Sequence, residues 1–183
     1  MKRSIFTSIA LTSVVLTSGM LQSPAKAQDF GSFFNSIFQS PQPASTPTST
    51  QSTTSLASIE KAVHNQVNRY RANQGLPPLA LDSRITEQAR IHSRNMANGS
   101  GLSHDGFNGR VQAIAKVISL SSAAENVAYN QGYSDPATQA VQGWINSSGH
   151  RTNIVGAYNK TGIGVAKNAR GQYYYTQIFI RTR

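Results

Sequence analysis

Two histidines and one glutamate are the side chains of this chain whose chemistry suggests a functional site. His104 lies in the segment Ser-His-Asp-Gly, Glu125 begins the segment Glu-Asn-Val-Ala, and His150 follows Ser-Ser-Gly shortly after the tryptophan. Neutral imidazole and carboxylate are ligands of borderline divalent metals, zinc above all. Long stretches of chain separate the three residues, so only the tertiary fold can bring them together.

Each of the three residues has a local context that favours a site. Glycines flank the loop around His104 and allow it to present its side chain into a cleft, while the turn Ser147–Gly149 can direct His150 back over the domain. Glu125 stands in an apolar stretch, so it is expected to be partly buried and to need a partner. The two histidines, a structural hydrogen bond or an ion pair with Arg151 would each supply one. We expect His104 and His150 to bind the metal, with Glu125 as a third ligand-binding residue.

The other two histidines are expected outside this site. His92 shares one face of a predicted helix with Ile85, Ala89 and Met96, where a hydrogen-bonded core histidine is the usual occupant. His64 lies between polar neighbours on an earlier helix.

The N-terminus has the pattern of a secretory signal peptide over residues 1–27. Positive charge at Lys2 and Arg3 precedes an apolar run at 5–21, and Ala25-Lys-Ala27 is a small-x-small cleavage pattern. We expect cleavage after Ala27 and a secreted or periplasmic mature chain. An uncleaved anchor helix is the alternative, since the run is almost long enough to span a bilayer. No other segment of the sequence predicts a membrane span.

Composition restricts the partners. The chain has no cysteine, which excludes a thiol nucleophile and a cysteine-ligated zinc. Beyond residue 27, 14 basic residues stand against seven acidic ones, a charge of about +7. This charge favours an anionic wall polymer, glycan or lipid as partner. Nucleic acid is disfavoured, because the basic residues are scattered and no aromatic-studded basic stretch occurs. We expect a monomer.

The composition along the chain predicts one folded domain, at residues 56–183, behind a spacer. Residues 28–55 are rich in Pro, Ser and Thr and predict a disordered spacer, with a Phe-rich segment at 30–38 that is either a docking segment or without a role. Helical periodicity predicts helices that begin near residues 56, 83 and 136, and a further helix at 110–118. Two strands, 160–167 and 172–180, form a predicted hairpin. This order of elements predicts an α+β domain.

Seven short motifs in this domain resemble, in their order and combination, the CAP domain family. This is the family of cysteine-rich secretory proteins, antigen 5 and plant pathogenesis-related-1 proteins, and the similarity is greatest to its short, cysteine-free bacterial branch. The motifs are Asn65-Gln-Val-Asn-Arg69, Ala89-Arg-Ile-His-Ser93, Ser103-His-Asp-Gly106, Glu125-Asn-Val-Ala128, Trp144-Ile-Asn-Ser-Ser-Gly-His-Arg151, Thr161-Gly-Ile-Gly-Val-Ala166 and Tyr175-Thr-Gln-Ile-Phe179.

The resemblance implies a fold and a site. The fold is an α-β-α sandwich with a three-stranded antiparallel sheet between helical layers. The site is a cleft lined by two histidines and two acidic residues, able to hold a divalent cation. By motif, His104 and His150 take the histidine positions and Glu125 the first acidic position. The second acidic position has no match, because Asn, Ser and Ser fill 146–148.

Two classes of function are compatible with such a site. We favour an extracellular binding module that can hold a divalent cation, zinc first, without turnover. The alternative is a metal-assisted, peptidase-like hydrolase acting on extracellular or cell-wall substrates, in which Glu125 would be the catalytic base. Catalytic zinc sites usually have three protein ligands, and the His-Glu-x-x-His motif is absent. A serine hydrolase lacks its Gly-x-Ser-x-Gly elbow, and nothing predicts an organic cofactor.

Overall fold

The computed structural model describes residues 55–183. The predicted signal peptide and the predicted spacer, with its Phe-rich segment, lie outside the described residues except for Ser55. No helix within residues 55–183 is long and apolar enough to cross a membrane.

Five α-helices and four strands make up residues 55–183. The helices are α1 (Leu56–Asn73), α2 (Ser83–Asn95), α3 (Phe107–Ala115), α4 (Pro136–Asn146) and α5 (Ser148–Val155), and a π-helical turn (Met96–Ser100) follows α2. The strands are β1 (Ala80–Leu81), β2 (Leu120–Asn130), β3 (Lys160–Lys167) and β4 (Tyr173–Thr182). The predicted α+β class is confirmed.

Aspartates fix the start of two helices. A carboxylate oxygen of Asp82 accepts a hydrogen bond from the backbone N–H of Arg84 at 3.1 Å, and Asp135 accepts one from the N–H of Thr138 at 3.0 Å. These bonds satisfy backbone donors that have no partner within the first helical turn. Pro136 occupies the first turn of α4, where its missing N–H costs nothing. Both predicted helix starts are thereby confirmed.

The sheet has four strands in the order β1-β3-β4-β2. The strands β3, β4 and β2 are antiparallel neighbours, as the family resemblance implied. The implied count of three strands is wrong, because β1 pairs in parallel with the start of β3 and makes the sheet mixed. A two-residue strand is too short to show a periodic pattern, which is why the sequence did not predict it.

Helices cover both faces of the sheet. Side chains of α1, α4 and α5 form one apolar cluster with the sheet, and side chains of α2 and α3 form a second cluster on the other face. The predicted α-β-α sandwich is therefore confirmed. Each functional side chain must reach the site from one of these layers or from β2 between them.

Two glycines let α2 lie directly on β3. A Cβ atom added at Gly162 would come within 2.2 Å of the backbone nitrogen of Thr86, and one at Gly164 within 2.2 Å of that of Arg90. Distances this short are sterically impossible, so only glycine fits at either position. The motif Thr-Gly-Ile-Gly-Val is thus explained by packing.

Candidate functional site

Glu125 lies in the middle of β2, and its side chain is 1% exposed. Because successive residues of a strand face opposite sides, Glu125 points to the α2/α3 layer while its neighbours Ala124 and Asn126 point to the other layer. The sheet therefore buries a carboxylate at a place where water cannot solvate it, and the protein must supply its partners.

Arg110 of α3 is the principal partner of Glu125. Its Nε donates to Oε2 at 2.9 Å and its Nη2 to Oε1 at 2.8 Å, a two-pronged ion pair between side chains that are 9% and 1% exposed. Its Nη1 also donates to the backbone carbonyl of Asp105 at 2.7 Å. Arg110 thus connects the buried carboxylate to the loop that carries His104.

The proposed ion pair between Glu125 and Arg151 does not form. Arg151 is exposed, and its Nη1 donates to the carbonyl of Ile145 at 2.7 Å. The sequence signal for Arg110 was its place on the buried face of α3, together with Phe107 and Ile114. A charged residue among such neighbours requires a buried partner.

His104 contacts Glu125 from the loop before α3. Its Nδ1 lies 3.0 Å from Oε1 of Glu125, so Nδ1 carries the proton and donates to the carboxylate. His92 supports the same loop from α2, because its Nε2 donates to the carbonyl of Ser103 at 2.7 Å. His92 is the buried, hydrogen-bonded histidine that its pattern predicted, but the expectation that it lies outside the site is wrong. Its Nε2 is 4.0 Å from Oε1 of Glu125.

His150 reaches the site from α5, a helix that the sequence did not predict. Ser147 alone separates α5 from α4, and its carbonyl accepts the first helical hydrogen bond, from the N–H of Arg151 at 2.8 Å. The Oγ of Ser147 lies 2.9 Å from Nδ1 of His150. A serine from the stretch 146–148, in which the family resemblance implied a second acidic residue, therefore contacts the second histidine.

Two asparagines attach the backbone of His150 to β2. Asn126 donates from Nδ2 to the carbonyl of His150 at 3.1 Å. Asn153 donates to Oδ1 of Asn126 at 2.9 Å and lies 3.3 Å from the carbonyl of Glu125. The position of His150 relative to Glu125 is thus fixed by buried amide contacts, which explains the asparagine in the Glu-Asn-Val-Ala motif.

Both imidazoles retain one nitrogen without a partner. The Nε2 atoms of His104 and His150 are buried and have no hydrogen-bond partner among residues 55–183. Burial lowers the pKa of His150 below its ordinary value, and a positive charge on His104 would lower it further. A buried, neutral imidazole nitrogen without a partner is chemically suited to a metal ion.

The ligand set for such a metal is small. Within the described part of the chain, no group of three or more His, Cys, Asp or Glu side chains is arranged to hold a metal ion. The buried atoms without a partner supply two nitrogen ligands, Nε2 of His104 and Nε2 of His150. They fit a weakly held cation and do not fit a closed structural zinc site, which has four protein ligands.

Comparison with known proteins gives the family. The model of the cysteine-rich secretory protein family, CAP, matches residues 64–179. YkwD, an uncharacterised protein of Bacillus subtilis, is 34% identical over 138 residues, which are 74% of this chain and 52% of that protein. The chain therefore belongs to the cysteine-rich secretory protein family. It spans about half the length of YkwD.

Two solved structures show the same fold. An extracellular protein with an SCP domain from Bacillus anthracis is 31% identical, with a TM-score of 0.57 over 75% of this chain and 45% of that chain. An outer surface protein of Borrelia burgdorferi is 17% identical, with a TM-score of 0.62 over 70% of this chain and 96% of that chain. The first likeness extends to sequence and fold, and the second to the fold alone.

Proposed function

We propose that this CAP protein is an exported binding module in which His104 and His150 hold a divalent cation, zinc by ligand chemistry. The proposal rests on the two buried Nε2 atoms that have no partner among residues 55–183. The carboxylate next to Nδ1 of His104 directs the proton to that nitrogen and leaves the lone pair on Nε2. The hydroxyl of Ser147 next to Nδ1 of His150 can accept a hydrogen bond from it, which gives the same tautomer. This tautomer is the one a metal requires, and an oxygen partner on the second nitrogen is typical of metal-bound histidine.

Export is supported by the leader pattern of residues 1–27 and by the kind of protein that carries a similar domain. The related Bacillus anthracis structure is described as an extracellular protein. Outside the cytoplasm, a chain of about +7 would meet the anionic polymers, glycans and lipids of the cell surface. Zinc held by two protein ligands would leave coordination positions open to an oxygen atom of such a partner.

Glu125 in this proposal orients His104 and does not act as a base. Arg110 and His104 together donate three hydrogen bonds to its carboxylate, which has about four acceptor sites. The hydrolase alternative needs Glu125 to take a proton from water. The test is time-dependent hydrolysis of a peptide or wall-glycan library by the wild type, abolished in Glu125→Gln and by a chelator. That result would contradict the binding module and support the hydrolase alternative.

Isothermal titration with zinc tests the metal site. We expect weak binding by the wild type and none by His104→Ala or His150→Ala, each of which should still unfold cooperatively in urea. His64→Ala is the matched control, because His64 belongs to α1 and takes no part in the site. Its Nε2 already has a partner, the carbonyl of Leu79 at 2.9 Å. Zinc binding that persists in both site variants, or that is lost equally in the control, would remove the metal proposal.

A further inference from the structure

The first turn of α5 has backbone donors without a partner. The first helical hydrogen bond comes from the N–H of Arg151, and no side chain caps the helix. The N–H groups of Ser148, Gly149 and His150 therefore have no hydrogen-bond partner in the described part of the chain. Ser147, whose side chain could cap this turn, has its Oγ against Nδ1 of His150 instead.

The charge around this turn favours an anion. The first turn of α5 has no acidic side chain, and the chain has no acidic residue after Asp135. Arg151, the fourth residue of the helix, is exposed and positive. Of the acidic residues in the elements that carry the site, Glu125 is paired with Arg110, and Asp105 is exposed and screened by solvent. The helix dipole adds partial positive charge at the three free N–H groups.

The side chain of His150 gives a second indication of a ligand at this turn. It is 2% exposed, and its Nε2 has no partner among residues 55–183. Its Nδ1 lies beside Oγ of Ser147, the residue before the helix, so the ring folds back towards the end to which the N–H groups point. Asn146 and Ser148 are exposed, which leaves this end of the helix open to the solvent.

We propose that the N-terminus of α5 binds an oxyanion group of the partner, a phosphate or a carboxylate, one oxygen of which contacts the cation on Nε2 of His150. The second half of this inference rests on the proposed zinc site. Such a group has at least two acceptor oxygens, so it can accept from the free N–H groups and contact the cation at the same time. A neutral ligand gains less, because the start of a helix favours negative charge.

Amide chemical shifts of the nitrogen-15-labelled exported chain test the proposal. In zinc-free buffer at constant ionic strength, inorganic phosphate or acetate should shift the amides of Ser148, Gly149 and His150 more than any others. The tighter of the two anions identifies the partner's group as phosphate or carboxylate, and either result supports the site.

Ser148→Pro removes one of the donors and should weaken this binding about tenfold. Proline is accepted at the first position of a helix, and Ser147 before it has the extended conformation that proline requires, with φ −91° and ψ 120°. Ser148→Ala keeps the N–H group and is the matched control, which should change the affinity less than twofold.

A zinc titration separates this site from the metal site. Zinc should tighten acetate binding about tenfold in the wild type but not in His150→Ala, in which the N–H groups of the helix remain. Amide shifts in zinc-free buffer without zinc binding at the histidines would reject the zinc site alone. Zinc binding with no amide shift by either anion, or equal affinities of Ser148→Pro and Ser148→Ala, would overturn the oxyanion site.

Discussion

Arg110→Met is expected to destabilise the domain by about 3–5 kcal/mol, because it leaves the carboxylate of Glu125 buried without its ion pair. The two side chains are 9% and 1% exposed, so water cannot replace the lost donors. The substitution also removes the hydrogen bond to the carbonyl of Asp105 and thereby loosens the loop that carries His104. We therefore expect zinc affinity to fall together with stability.

Urea unfolding at neutral pH measures this loss, and Glu125→Gln with the double variant completes a double-mutant cycle. No charge stays buried in Arg110→Met/Glu125→Gln, so it should be more stable than Arg110→Met by about 1–2 kcal/mol. Arg151→Met is the matched control, an exposed arginine that should change stability by less than about 0.5 kcal/mol. A cost below about 1 kcal/mol for Arg110→Met would refute the buried ion pair.

Three further predictions follow from local geometry. The hydrogen bonds from Arg84 hold the pKa of Asp82 well below its ordinary value, so the charged form stabilises the fold above about pH 4 and the contribution is lost as pH falls. Asp82→Asn keeps a helix-capping side chain but loses the charge that pairs with Arg84 and Lys160, so it should cost about 1 kcal/mol in urea unfolding at neutral pH and less at pH 3. An equal cost at both pH values would contradict this. Gly164→Ala should destabilise the domain by more than about 3 kcal/mol, because its Cβ would collide with the backbone of α2. Gly143→Ala in α4 places its Cβ where no atom lies within 4 Å, so it should stabilise the domain by up to about 1 kcal/mol. Thermal unfolding of the two variants measures both changes, and similar effects would contradict the packing argument. Ser147→Ala should lower zinc affinity about tenfold in calorimetry with stability nearly unchanged, and Ser147→Thr should restore it; no loss in Ser147→Ala would remove its role as the Nδ1 partner.

The fold was largely predictable because its signals are local or periodic. Apolar spacing predicted the helices that begin near residues 56, 83 and 136, and the strands β3 and β4. The strand β2 gave no alternating pattern, because residues 123–127 are buried on both faces. The helix α5 has only eight residues, and its start depends on Ser147 immediately after α4, so periodicity could not separate it from a turn.

The partners of Glu125 were less predictable than Glu125 itself. A carboxylate in an apolar stretch indicated burial, but its partner depended on which cation the fold brings within reach. Arg151 is near in sequence to His150 and was a reasonable expectation. Arg110 is the partner because α3 packs over the sheet and places that residue on its buried face. Likewise, the supporting contact of His92 required knowing where the carbonyl of Ser103 lies.

Anomalous diffraction at the zinc edge, from a crystal soaked in zinc, tests the central claim most directly. We predict one principal peak within about 2.0–2.1 Å of Nε2 of both His104 and His150. Their Nδ1 atoms should keep Glu125 and Ser147 as partners. A peak bonded to an Nδ1 atom, a peak at other residues only, or no peak at the two histidines at a zinc concentration that saturates binding in solution would contradict the account.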